Sequence, residues 1–70
     1  MEKIILDIIF FDENDNTIKN EKKETNYVPN IGESISNAGE HHYVIRKNWF
    51  YIEDKTYCTI IAKLKLPPTL

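Results

Sequence analysis

The 70-residue sequence is sparing with the residues that special architectures need. It has a single cysteine, Cys58, so no internal disulfide can form, whereas a secreted domain of this size normally carries several. Two glycines and three prolines exclude a collagenous or low-complexity chain, and they leave too little glycine for a phosphate-cradling loop. No apolar run reaches the roughly 18 to 20 residues of a membrane span, because the stretch from Ile4 to Phe11 is short and holds Asp7 at its middle. The start, Met1-Glu2-Lys3, lacks the basic region and small-residue cleavage site of a secretory leader, and no Asn-X-Ser/Thr acceptor occurs. A reducing cytoplasm is the expected location, with no membrane partner.

The formal charge of −2 is too small to draw a polyanion over the whole surface. Its distribution is uneven. Residues 1–40 hold nine acids against four bases (−5), and residues 41–70 hold two acids against five bases (+3). Arg46, Lys47, Lys55, Lys63 and Lys65 are therefore the seat for any anionic ligand, unless they only solvate the outer sides of strands.

With 41% hydrophobic and 29% charged residues the balance is globular, and the length fits one small domain over residues 1–70. Lys3 to Phe11 reads as a strand with Ile4, Leu6, Ile8 and Phe10 on one face, followed by the turn cluster Asp12-Glu13-Asn14-Asp15-Asn16. On the other face Ile5, Ile9 and Phe11 are interspersed with charge. Residues 17–26 are polar, with Ile18 their one large apolar side chain, and fit either a charge-protected edge strand or a mobile arm. Pro29 and Gly32 mark a turn, Glu33 to Ser36 a short strand, and Asn37-Ala38-Gly39 another turn. His42 to Ile52 is a long strand whose apolar residues change parity around Arg46 to Asn48, which predicts a bulge or bend there. After Glu53 to Thr56, the stretch Tyr57 to Leu66 alternates, with Cys58, Ile60, Ala62, Leu64 and Leu66 on one side, and Pro67-Pro68 ends it, leaving 67–70 as a tail. No stretch has the three-and-four spacing of an amphipathic helix. The expected fold is all-β, a small five-stranded barrel whose closure hides sheet edges.

Chemistry is hard to assemble from these residues. His41 and His42 are neighbours, so in a strand they point to opposite faces and cannot easily share a metal. Asp12, Asn14 and Asn16 hold the first, third and fifth places of a calcium loop, but Thr17 stands where glycine is needed and Lys23 where a glutamate is needed. Neither Ser34 nor Cys58 lies in a nucleophile motif, and a barrel this small seldom encloses a pocket for Glu33, Glu40 or the histidines to serve. No catalytic residue, metal or cofactor is expected. The informative cluster is aromatic: Tyr27, Tyr43, Trp49, Phe50, Tyr51 and Tyr57, some filling the barrel and some outside it. Trp49 and Tyr51 beside Arg46 and Lys47 are the residue types enriched at protein interfaces, and the same four suit stacking of single-stranded bases.

The segment Val28-Pro29-Asn30-Ile31-Gly32-Glu33-Ser34-Ile35, then Gly39, Tyr43-Val44-Ile45-Arg46, Trp49 and the alternating last strand, resembles the short β-barrel proteins of bacterial phages and mobile elements. The match runs over residues 27–66. It implies an SH3-like barrel and a genomic setting, and it transfers no site. The expected function is that of a small non-enzymatic protein-binding module acting through Arg46, Lys47, Trp49 and Tyr51, with single-stranded nucleic acid as the alternative ligand. Homo-oligomerisation, through the same patch or an exposed sheet edge, is compatible with it.

Overall fold

A computed structural model describes residues 3–64, so the predicted strand residues Lys65 and Leu66 and the tail 67–70 lie outside the described residues. Five strands form one mixed sheet: β1 (Ile4–Phe11), β2 (Thr17–Thr25), β3 (Ser34–Asn37), β4 (Glu40–Ile52) and β5 (Lys55–Lys63). No helix occurs among the described residues. The order across the sheet is β2-β1-β5-β4-β3, so the polar β2 and the short β3 are its edges. The two strongest apolar strands pair in the centre. β1 and β5 run parallel, and β1–β2, β4–β5 and β3–β4 are antiparallel.

The sheet curls into a half-barrel around a core of Leu6, Ile8, Phe10, Val44, Cys58, Ile60 and Ala62, with Ile4, Val28 and Ile35 packed against it. Period-two alternation explains the selection, since Leu6, Ile8 and Phe10 stand beside Cys58, Ile60 and Ala62 in the central ladder. Full burial of each large aliphatic or phenyl side chain contributes about 1.5–3 kcal/mol. Tyr27 to Glu33 forms a strap joining β2 to β3. It enters the sheet where Gly32 N–H donates to Val44 O (2.8 Å) and Val44 N–H donates to Glu33 O (2.9 Å).

The turns are decided locally. Asp12 accepts from the Asn14 and Asn16 amides at 2.8 and 2.9 Å, so the failed calcium loop is a self-capped β1–β2 turn. In the strap, Glu33 N–H donates to Asn30 O, and Gly32 sits third in that turn at φ 96°, where a Cβ would be strained. The β3–β4 and β4–β5 hairpins each close through two residues at positive φ: Ala38 (53°) with Gly39 (82°), and Glu53 (47°) with Asp54 (66°), the combination that matches strand twist. The latter turn is tighter than the expected Glu53 to Thr56, because Lys55 and Thr56 already pair within β5.

The one buried polar residue among those described is His42, 1% exposed, with its ring edge-on to Phe10 at 5.0 Å. Neither of its ring nitrogens has a hydrogen-bond partner. A buried, unpaired donor or acceptor costs about 1–3 kcal/mol. His42→Leu should therefore raise unfolding free energy by about 1–3 kcal/mol in urea titrations, an unusual gain for a core substitution; a loss would mean that the imidazole is satisfied. Ala38→Asn should also stabilise, by about 0.5–1 kcal/mol, because asparagine tolerates the left-handed region better than alanine. The same titration reads it.

Candidate functional site

Strand β4 carries the four residues singled out from the sequence, and one extra residue in it decides where they go. Val44 pairs with Ala62 and Arg46 with Ile61, so Ile45 has no partner and the bulge sits there, just ahead of the expected Arg46 to Asn48. A bulge switches the parity of everything after it. Before it, His42 and Val44 face the core. After it, Lys47, Trp49 and Tyr51 take that side, opposite Ile60, Cys58 and Thr56. Arg46 is thrown to the other face, where it lines a shallow depression with Phe11, Asp15, Ile45, Ile61 and Lys63. The structure thus brings three of the four residues together and separates the arginine from them.

Trp49 is 43% exposed and Tyr51 76%, so both rings belong to the surface although they stand on the core face. They continue the concave side beyond the rim of the buried cluster. Lys47 is tied down beside them: its Nζ donates to Asn30 Oδ1 of the strap at 3.3 Å and lies 5.9 Å from the Trp49 ring centre, within cation–π range. Past Tyr51, an open depression of about 480 Å³ is lined by Glu53, Asp54, Lys55 and Thr56. The strip is therefore an aromatic pair with one anchored cation at one end and two carboxylates beside Lys55 at the other.

The strap that holds Lys47 has its own clamp. Tyr27 Oη donates to both carboxylate oxygens of Glu33, at 2.7 and 2.8 Å, and the Asn30 amide donates to the same group. The Asn30 amide first, then Tyr27, hold the Glu33 carboxyl below its ordinary range. The Tyr27 hydroxyl is pushed up by the same carboxylate. Burial pushes the Cys58 thiol up, which suits an inert core residue. His41 is exposed while His42 is buried, so the pair is split between environments, and no group of three His, Cys, Asp or Glu that could hold a metal occurs among the described residues.

Asn30 as the partner of Lys47 has no local signal in the sequence. The outer face of the central strands does have one, the near-continuous apolar run of β1, since strands covered on both faces read that way.

Glu33 makes the strap acid-sensitive. A carboxylate held low in the folded state contributes stability above its ordinary value of 4.5, and that contribution is lost as pH falls through the lowered folded value. Val28 methyl signals in an NMR acid titration should shift as the pH falls through that lowered value in the wild type and lose that step in Glu33→Gln. A local probe is needed because Asp12 is also held low, chiefly by the Asn16 amide. Compared with family models, with curated proteins and with solved structures, the chain matches none.

Proposed function

We propose that this chain is a small non-enzymatic binding module that captures a protein partner on the strip Lys47, Trp49 and Tyr51. The observation that carries the reading is the exposure of two large rings on the concave side, continuous with the core and backed by a strap-anchored lysine. Rigid aromatic side chains bury area at low entropic cost, which is why they dominate binding hot spots. The SH3-like character of the half-barrel and its setting in a phage or mobile element belong to the same proposal, and rest on the proline–glycine step before the short strand.

A nucleic-acid strand is the weaker fit. It needs several basic side chains beside the stacking rings, yet Arg46 lies on the opposite face, Lys47 is engaged by Asn30, and Lys55 past Tyr51 is accompanied by two acids, Glu53 and Asp54. Neither Trp49→Ala nor Tyr51→Ala removes a buried side chain, so each should stay folded by circular dichroism while co-purification of a cellular protein falls at least about tenfold. Retained capture would sink the reading. Salt-sensitive oligonucleotide binding lost in the Arg46→Ala, Lys47→Ala double variant would replace it with the nucleic-acid alternative.

A further inference from the structure

β4 outruns the strand beside it. β3 pairs only with Glu40 to Tyr43, and the last backbone bonds from the strap reach β4 at Val44. From Arg46 to Ile52, β4 therefore has a hydrogen-bonded neighbour on one side alone, β5, among the described residues. Burial agrees: all five residues from Asn48 to Ile52 are exposed, and four of them are large and apolar. Natural sheets blunt such an edge with charge, proline or a covering loop, because its unpaired amides and carbonyls template another strand. Residues 48–52 carry no charge and no proline.

The hairpin decides which backbone groups are open. The two-residue turn at Glu53 and Asp54 makes Ile52 and Lys55 a hydrogen-bonded pair. Such pairs alternate along an antiparallel ladder, so Phe50 and Asn48 also aim their N–H and C=O at β5, while Tyr51, Trp49 and Lys47 aim theirs away from it. Before the bulge the parity is reversed, and Val44 aims its own groups at the strap, where both are bonded. Three amides and three carbonyls are thus left for an incoming strand, and they belong to the same residues whose side chains form the aromatic strip.

We propose, resting on the reading of the strip given above, that the captured protein binds as an added β-strand, an extended segment running antiparallel along Lys47, Trp49 and Tyr51. Backbone bonds supply the affinity of such a contact, and side chains at alternate positions supply the selection. Antiparallel pairing is the more stable arrangement, and apolar residues at every second position of the segment pack beside Trp49 and Tyr51. The two ends of the edge differ in charge. Arg46, without an ion pair among the described residues, and Lys47 favour an acid at the C-terminal end of the segment. Glu53 and Asp54, which outnumber Lys55, favour a base at its N-terminal end. A second copy is the poorer occupant. Pairing β4 with itself about Trp49 brings Glu53 and Asp54 of one copy level with Ile45 and Val44 of the other, where the strap is bonded and Glu33 adds a further carboxylate.

Amide exchange followed by NMR on the full chain tests it. In the free protein the amides of Lys47, Trp49 and Tyr51 should exchange at least about tenfold faster than those of Asn48, Phe50 and Ile52. The probe is the capped peptide Lys-Val-Thr-Val-Thr-Val-Glu, which at about 1 mM should slow the three open amides at least about tenfold. It should bind at least about threefold tighter than its charge-swapped form, Glu-Val-Thr-Val-Thr-Val-Lys. Tyr51→Pro removes one edge amide and no bond to β5, so it should weaken peptide binding at least about tenfold beyond Tyr51→Ala. If the proline unfolds the chain, the wild-type exchange pattern decides alone. Open amides already slow in the free chain, or still fast with the peptide, would overturn strand addition, as would equal binding of the swapped peptide. Amides that slow with protein concentration alone would overturn it in favour of a second copy. Where Trp49→Ala loses its cellular partner while these amides stay fast, strand addition falls and the strip reading survives; capture retained in Trp49→Ala sinks both.

Discussion

The parallel ladder between β1 and β5 is the pairing on which the other contacts depend. It sets Leu6 beside Cys58, Ile8 beside Ile60 and Phe10 beside Ala62, and all six are buried. Parallel neighbours cannot be joined by a tight turn, so everything between them serves as the crossover. The excursion does structural service on its way: β2 flanks β1, the strap covers the core, and β3 with β4 flanks β5. Centring the two apolar strands leaves the edges to a charged strand and a four-residue one, both poor templates for unwanted pairing.

Within that frame a single inserted residue controls what the surface offers. Without the bulge at Ile45, Arg46 would sit on the core side and Trp49 on the outer one. With it, the indole and Tyr51 extend the concave side and the guanidinium joins the apolar outer face. The two faces are thus products of one register shift, and they are chemically distinct: aromatic rings with an anchored lysine on one side, aliphatic rows with an acid and an arginine on the other. The strap links the concave surface to the core, since Asn30 holds Lys47 while Val28 packs beneath and Glu33 fixes the loop.

Much of this was readable in advance, for identifiable reasons. Alternation named Leu6, Ile8, Phe10, Cys58, Ile60 and Ala62 as inward residues, because a pleated strand with one covered face imposes a period of two. The Asp12 turn and the Asn37–Gly39 turn were readable because side-chain capping and positive φ are local. The polar stretch 17–26 left edge strand and arm undecided, and pairing with β1 settles it as an edge. The candidate site was half readable. Residue types marked Lys47, Trp49 and Tyr51, but their separation from Arg46 depends on a ladder to a strand many residues away. His42 gave no sign of burial, since an imidazole in a strand is as often outside as in.

The sequence by itself determined the strands, the turns and the inward-facing residues of β1 and β5, because each follows from backbone and side-chain chemistry over a few neighbouring positions. Only the tertiary structure decided the strand order, the parallel centre and the face that Arg46 occupies. Those depend on which distant strand pairs with which and at what register, and that choice is made by the whole core packing at once.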